Sequence, residues 1–244
     1  MKIGCISYCF KGEKLEEMLG KFREVGFKNV ELWLGHPDGL ANYNNADREG
    51  ARRVRELIEG YGITPQSYCI GGFSDGDPLQ KLKKAFQYAN GLGVSVITGC
   101  ATPKMAKELD QLCQEYGIRF AIENHKGNVF ESPADYFPTL GETSEWIGVT
   151  MDSGHFALAS HDPVEAAKKL KGRIYHVHLK DVVEGRPCIL GKGEAKIEEL
   201  LLELLRQGYK GHLSIEHEVE GDPTKDLKES LKFCSVVLEK AEKS

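Results

Sequence analysis

195-AKIEELLLELLRQGYKGHLSIEHE-218 changes its hydrophobic period partway along. Ile197, Leu200, Leu201, Leu204 and Leu205 recur at helical spacing. Gly208 ends that pattern, as a residue that takes the left-handed conformation of a helix stop at no steric cost. From His212 the period falls to two. Leu213 and Ile215 share one face, Ser214 and Glu216 the other. A helix therefore feeds through a short glycine turn into a strand, and the strand carries an acid at its far end.

The same unit recurs along all 244 residues. Strands are expected near 2–8, 28–34, 64–70, 94–99, 118–124, 146–152, 173–180 and 212–217. Helices are expected near 13–25, 46–61, 78–91, 103–116, 133–142, 162–171, 195–208 and 223–240. Gly26, Gly62, Gly93 and Gly117 stand where earlier helices should stop. Alternating strands and helices make a parallel sheet, and about eight such units close it into a (β/α)8 TIM barrel. An open doubly wound sheet is the other solution, but no Gly-x-Gly-x-x-Gly follows the first strand. No linker or low-complexity tract interrupts the chain, so residues 1–244 read as one α/β domain.

Composition narrows the function. The net charge of −5, with basic residues scattered, argues against a nucleic-acid partner held by bulk charge. Seven cysteines at irregular spacing, with no C-x-x-C, read as free thiols of a reducing compartment. The stretch 1-MKIGCISYCFKGE-13 has too short an apolar run for a secretory signal, and no run approaches the ~20 residues of a membrane helix. The expectation is a cytoplasmic protein with no membrane partner; whether it forms a homo-oligomer is left open.

Strand parity then points to a site. In 173-RIYHVHLKD-181, Tyr175, Val177 and Leu179 oppose His176, His178 and Lys180. In 118-IRFAIENH-125, Ile118, Phe120 and Ile122 oppose Ala121, Glu123 and His125; in 146-WIGVTMD-152, Val149 and Met151 oppose Thr150 and Asp152. In 29-NVELWL-34, Glu31 and Trp33 oppose Val30, Leu32 and Leu34. If the apolar faces meet the outer helices, Glu31, Glu123, Asp152, His178 and Glu216 converge on the barrel axis. Each then lies at the C-terminal end of its strand, where barrel active sites form. Three carboxylates buried together are costly unless a cation compensates them. Carboxylates with one imidazole suit one divalent ion, Mn2+, Mg2+, Zn2+ or Co2+, without choosing among them. Gly154 stands where the chain must turn after Asp152, and His155 starts the next segment facing the same place.

The motifs 123-ENH-125, 152-DSGH-155, 176-HVHLKD-181 and 215-IEHE-218, in that order, resemble the xylose isomerase-like TIM barrel superfamily, in its sugar phosphate isomerase/epimerase group. The segments 26-GFKNVELW-33 and 208-GYKGHLSIE-216 resemble that group's second and eighth strands. The resemblance implies that Glu123, Asp152, His178 and Glu216 are metal ligands, that Glu123 and Glu216 exchange protons on opposite faces of the substrate, and that His155 contacts a substrate oxygen. It implies a metal-dependent isomerase or epimerase of a small sugar, keto-sugar or hydroxy-carbonyl acid, working through a metal-stabilised enediolate. Epimerases of the group carry an arginine soon after the histidine of strand seven; here 179-LKDVVEGR-186 offers Lys180 or Arg186 as substrate-binding cations instead. Abasic-site endonucleases share 123-EN-124 and 152-DSGH-155, but 66-QSYC-69, 98-TGCA-101 and 185-GRPC-188 lack the histidines that their three zinc ions need.

Plainer readings accompany each residue. Asp152 also fits a helix N-cap, Glu216 and Glu123 fit structural ion pairs, and His178 fits a satisfied core histidine. His155 also fits a hydrogen bond to Glu123 or a carbonyl, while His125 and His176 fit supporting or packing roles. Glu31 fits a substrate contact or a structural partner equally. Trp33, with His36 and Phe10, fits an apolar substrate wall or core. The turn 191-GKGE-194 fits an anion cradle or a plain loop. Function divides among the isomerase or epimerase, a keto-inositol-type dehydratase on the same metal site, an abasic-site endonuclease, and a non-catalytic sugar-binding barrel.

Overall fold

The computed structural model describes residues 1–242, so the last two residues of the expected domain lie outside the described residues. Eight parallel strands close into a barrel. They are β1 (Lys2–Ile6), β2 (Asn29–Trp33), β3 (Thr64–Gly72), β4 (Val96–Cys100), β5 (Arg119–Glu123), β6 (Ile147–Asp152), β7 (Ile174–Leu179) and, after a small hairpin of β8 (Asp181–Val183) with β9 (Arg186–Cys188), β10 (His212–Ile215). Around the barrel the order is β1-β10-β7-β6-β5-β4-β3-β2, so β10 closes on β1. The helices are α1 (Leu15–Val25), α2 (Arg48–Gly60), α3 (Leu79–Leu92), α4 (Pro103–Tyr116), α5 (Tyr136–Glu142), α6 (Ser153–Leu158), α7 (Pro163–Lys169), α8 (Ile197–Arg206) and α9 (Thr224–Glu242). No described helix is long and apolar enough to cross a membrane.

Local chemistry sets the boundaries. Asp47, Thr102 and Asp162 accept backbone N–H groups at the starts of α2, α4 and α7. Gly26, Gly93 and Gly117 end α1, α3 and α4 in the left-handed region. The expected strands and long helices match these elements to within a few residues. Two elements went unforeseen. The first is α6, which begins at the residue after Asp152 and is only six residues long. The second is the β8–β9 hairpin, whose three-residue strands are too short to show a period.

The apolar strand faces meet the helices, as parity requires. Val177, Leu179, Leu213 and Ile215 are fully buried on that side. The seam between α2 and α3 is tight: a Cβ placed on Gly91 would lie 2.3 Å from the Arg48 carbonyl oxygen and 2.7 Å from the Ala51 Cβ. Gly91→Ala is therefore expected to cost about 1–3 kcal/mol through overpacking. Gly20→Ala, inside α1 with open space around it, is expected to add up to about 1 kcal/mol through helix propensity. Urea denaturation of the two variants measures both signs.

Candidate metal centre and active site

Four strand ends build the cluster. Glu123 is the last residue of β5, Asp152 the last of β6, His178 the penultimate residue of β7, and Glu216 follows β10. Cross-strand register places Asp152 and Ser214 on either side of His178. Glu216 keeps to the ladder because its N–H donates to the Leu179 carbonyl at 3.0 Å. One ligand-capable atom from each of Glu123, Asp152, His178 and Glu216 lies within 4.8 Å of all the others.

Neighbouring side chains hold these groups in place. Asn124 clamps the end of β6, donating to the Asp152 carbonyl at 3.0 Å and accepting the Asp152 N–H at 2.7 Å. Asp152 Oδ1 accepts the His155 N–H at 2.7 Å, so this residue caps α6 while its other oxygen faces the cluster. Ser153 Oγ donates to the Lys180 carbonyl at 2.7 Å and accepts its N–H at 3.0 Å, which ties α6 to the end of β7. Gly154 is needed for room. A Cβ there would lie 2.5 Å from Lys180 Cγ and 2.9 Å from Lys180 Cβ, so the lysine could not pass into the site.

The electrostatics are those of a crowded, buried set. His178 Nδ1 is 2.7 Å from Glu123 Oε1, 3.0 Å from Glu216 Oε2 and 4.0 Å from Asp152 Oδ2. Lys180 Nζ stands 2.5 Å from Glu218 Oε1, 2.8 Å from Glu216 Oε1 and 3.4 Å from Asp152 Oδ2. Burial, reinforced by Glu216 and Glu123, pushes the Asp152 carboxyl up to about 7 against the pull of Lys180 and His178. Burial opposes the charge on Glu216 too, but Lys180 and His178 outweigh it and hold that carboxyl well below its usual range. Burial likewise opposes the charge on His178, and Glu31, Glu123 and Glu216 outweigh it and raise the imidazole. His155 goes the other way. Burial, with Lys180 and His125 beside it, brings it down to about 3, so it is a neutral imidazole at pH 7.

The donor set fits a divalent ion. Asp152 Oδ2 and Glu216 Oε2 are buried without a hydrogen bond, although both face the centre of the cluster. His178 Nδ1 makes its hydrogen bond with Glu123, which leaves Glu216 Oε2 close but unbonded. Buried carboxylate oxygens without donors are costly, and a cation among them removes that cost. Three carboxylates and one imidazole are the donors that Mn2+, Mg2+, Zn2+ or Co2+ accept.

A cavity of about 200 Å³ opens over Glu123, His178 and Glu216, with Tyr8 and Trp33 on one wall and His155 on another. Tyr8 and Trp33 meet edge to face at 4.9 Å. Other sequence candidates lie elsewhere. Glu31 is fully buried beneath His178, away from the cavity, and so cannot touch a substrate there. Arg186 is exposed on β9, opposite Val183, outside the cavity lining. His36 ties Ser7 to the Glu13 carbonyl, and Phe10 packs on Phe22, so only Trp33 of that trio faces the cavity. The amides of Gly191, Gly193 and Ala195 are already taken by the buried Asp181 carboxylate at 2.9–3.0 Å, which leaves no anion cradle at 191–194. Sequence reasoning missed Glu218, although it lies two residues beyond Glu216 and shares its parity. It also missed Asn124 and Tyr8, for which no periodic signal exists.

The profile of the family described as xylose isomerase-like TIM barrel matches residues 19–236. The chain is similar to the rhizopine catabolism protein MocC of Rhizobium meliloti, at 30% identity over 48% of this chain and 41% of that protein. It is also similar to the inosose dehydratase of Clostridium perfringens (strain 13 / Type A), at 26% identity over 94% of this chain and 91% of that one. The chain thus spans well under half of the first relative and nearly all of the second. Among solved structures, that of an L-ribulose 3-epimerase superposes with a TM-score of 0.82 at 20% identity, covering 100% of this chain and 96% of that one, which is a likeness of fold.

The raised Asp152 carboxyl sets a sign for pH. Its folded pKa of about 7 lies above the ordinary 3.8, so in metal-free protein its contribution is complete below 3.8 and lost as pH climbs through 7. Bound cation reverses this, because it needs the ionised form. Mn2+ is expected to raise the melting temperature of chelator-stripped protein, and at fixed concentration to raise it more at pH 8 than at pH 6. At ~100 times its Kd the ion adds about 2.7 kcal/mol. Asp152→Ala is expected to remove most of the shift at both pH values in a thermal melt.

Proposed function

The chain belongs to the xylose isomerase-like TIM barrel family, and from that premise we propose that it is a divalent-metal-dependent isomerase or epimerase of a small sugar, keto-sugar or hydroxy-carbonyl acid. One observation carries the reading. Glu123 and Glu216 come from β5 and β10, with β6 and β7 between them, and both reach the same imidazole edge, at 2.7 and 3.0 Å from His178 Nδ1. A substrate carbon resting over that point has a carboxylate on each side.

Each residue then has a task. Glu123, Asp152, His178 and Glu216 would hold the ion, which when bound polarises a carbonyl and the neighbouring hydroxyl and so acidifies the adjacent C–H. One of Glu123 and Glu216 removes that proton and the other delivers one. Delivery to the opposite face inverts the carbon; delivery to the neighbouring carbon moves the carbonyl. Tyr8 and Trp33 offer an apolar wall for the C–H face of a sugar, and they narrow the access of water. Neutral His155 hydrogen-bonds a substrate oxygen without adding charge. Lys180 holds Glu216 and Glu218 in position, and it stands beside the cluster where Arg186, exposed on β9, does not.

A second reading is supported by two observations. The similarity to an inosose dehydratase extends over 94% of the chain. Lys180 Nζ, 2.8 Å from Glu216, fixes that carboxyl beside the cavity, so that the proton Glu216 draws from carbon can pass to a β-hydroxyl departing on the same side, which leaves as water. On that reading the same first proton removal ends in loss of water.

Deuterated water separates the readings. Metal-reloaded protein is expected to exchange the proton next to the carbonyl of a keto-sugar or keto-inositol, with no mass change beyond deuterium for an isomerase or epimerase. Loss of water by mass assigns the dehydratase. Glu123→Gln and Glu216→Gln are each expected to slow exchange by about 10²–10⁴-fold. Unchanged exchange in both variants would remove the carboxylate pair from the reaction.

A further inference from the structure

Glu31 has no access to the cavity, yet it touches the cluster from behind. Its side chain is fully buried inside the barrel. A carboxylate survives there only if donors surround it. Oε2 receives His176 Nε2 at 2.7 Å and His178 Nε2 at 2.9 Å, while Oε1 receives the Thr98 hydroxyl. Ser214 Oγ lies 3.0 Å from the same nitrogen of His176. The carboxylate thus joins β2, β4 and β7 across the lumen.

An ionised carboxylate only accepts hydrogen bonds, so the hydrogen in the His178–Glu31 contact belongs to the ring. It sits on Nε2. The opposite nitrogen, Nδ1, is the one that faces Glu123, Glu216 and Asp152. A neutral imidazole has one N–H and one lone pair. With that N–H engaged by Glu31, the neutral ring that a bound cation requires has its lone pair on Nδ1, pointing into the ligand set. The negative charge behind the ring also strengthens that nitrogen as a donor to a cation.

We propose that Glu31 is a positioning residue of the metal centre, which locks His178 as the Nε2–H tautomer and so presents Nδ1 to the ion. The inference rests on the metal centre proposed above. It accounts for a carboxylate buried where no substrate reaches.

The test uses the full chain, stripped with chelator and titrated with Zn2+ by calorimetry. Glu31→Gln is expected to raise the Zn2+ dissociation constant by about 10–100-fold. Thr98→Val removes a bond to the same carboxylate but leaves both histidine contacts, and is expected to weaken binding far less. An unchanged constant in Glu31→Gln, or equal losses in the two variants, overturns the proposal, since a merely structural role predicts the latter. Long-range 15N–1H spectra of the zinc-loaded unsubstituted protein need no variant to fold. They are expected to place the His178 proton on Nε2 and no proton on Nδ1; a proton on Nδ1 overturns the proposal. If the unsubstituted protein binds Zn2+ and Glu31→Gln binds it equally well, this inference alone fails. If the unsubstituted protein binds no divalent ion, the metal centre fails and takes the inference with it.

Discussion

The ring of His178 joins two layers of buried negative charge. Below it lies Glu31, and above it lie Glu123 and Glu216, with Asp152 alongside. Among the described residues, the groups that can carry positive charge against these four carboxylates are His178, His176 and Lys180. That imbalance governs the rest of the site. It raises Asp152, holds Lys180 charged in a nearly dry position, and leaves two carboxylate oxygens with no donor. An arrangement that costs this much without a cation, and little with one, is what a binding centre requires.

The barrel makes the arrangement available because β10, β7, β6 and β5 are consecutive in it. Adjacent strand ends bring one inward side chain each to a common level, and the loops beyond add Glu218 and His155. The turn after β6 shows how closely backbone and site are coupled. Asp152 starts α6 through one oxygen and faces the cluster through the other. Ser153 fastens that turn to β7, and Gly154 leaves the channel through which Lys180 reaches Glu216. The glycine serves passage of a neighbouring side chain, and the tight turn itself needs no left-handed residue there: Gly154 is absent from the positive-φ glycines.

Period-two alternation carries the direction of every inward residue, which is why Glu123, Asp152, His178 and Glu216 could be grouped from the chain alone. It carries nothing about depth. Glu31 shares their parity but is the middle residue of β2, whereas Glu123 and Asp152 end their strands, so it lies deeper in the lumen. Arg186 is a related case: distance along the chain after β7 suggests reach, but the residue is exposed on β9 and outside the cavity lining. Glu218 was legible by parity and was overlooked because the barrel strand was taken to end at 217. The fold was more legible than the site because eight repeats of one pattern reinforce each other, whereas each site residue appears once.

Isomerisation, epimerisation and dehydration begin alike, with a carboxylate drawing a proton from carbon. They part at the next proton. Glu216 is paired with Lys180, and Lys180 with Glu218, so the carboxyl on that side of the cavity is fixed by a buried ion-pair chain. Among the described residues the hydrogen bond of Glu123 is to His178, whose far side is held by Glu31. The two carboxylates are thus unequal: one is backed by a buried cation, the other by an imidazole pinned in place. On the proposed function, a substrate whose leaving hydroxyl falls on the Glu216 side would be set up for loss of water. One whose hydroxyls all avoid that side would have only carbon to receive the proton, and would return as an isomer or epimer. Substrate orientation over His178, rather than a different set of catalytic groups, would then select the reaction.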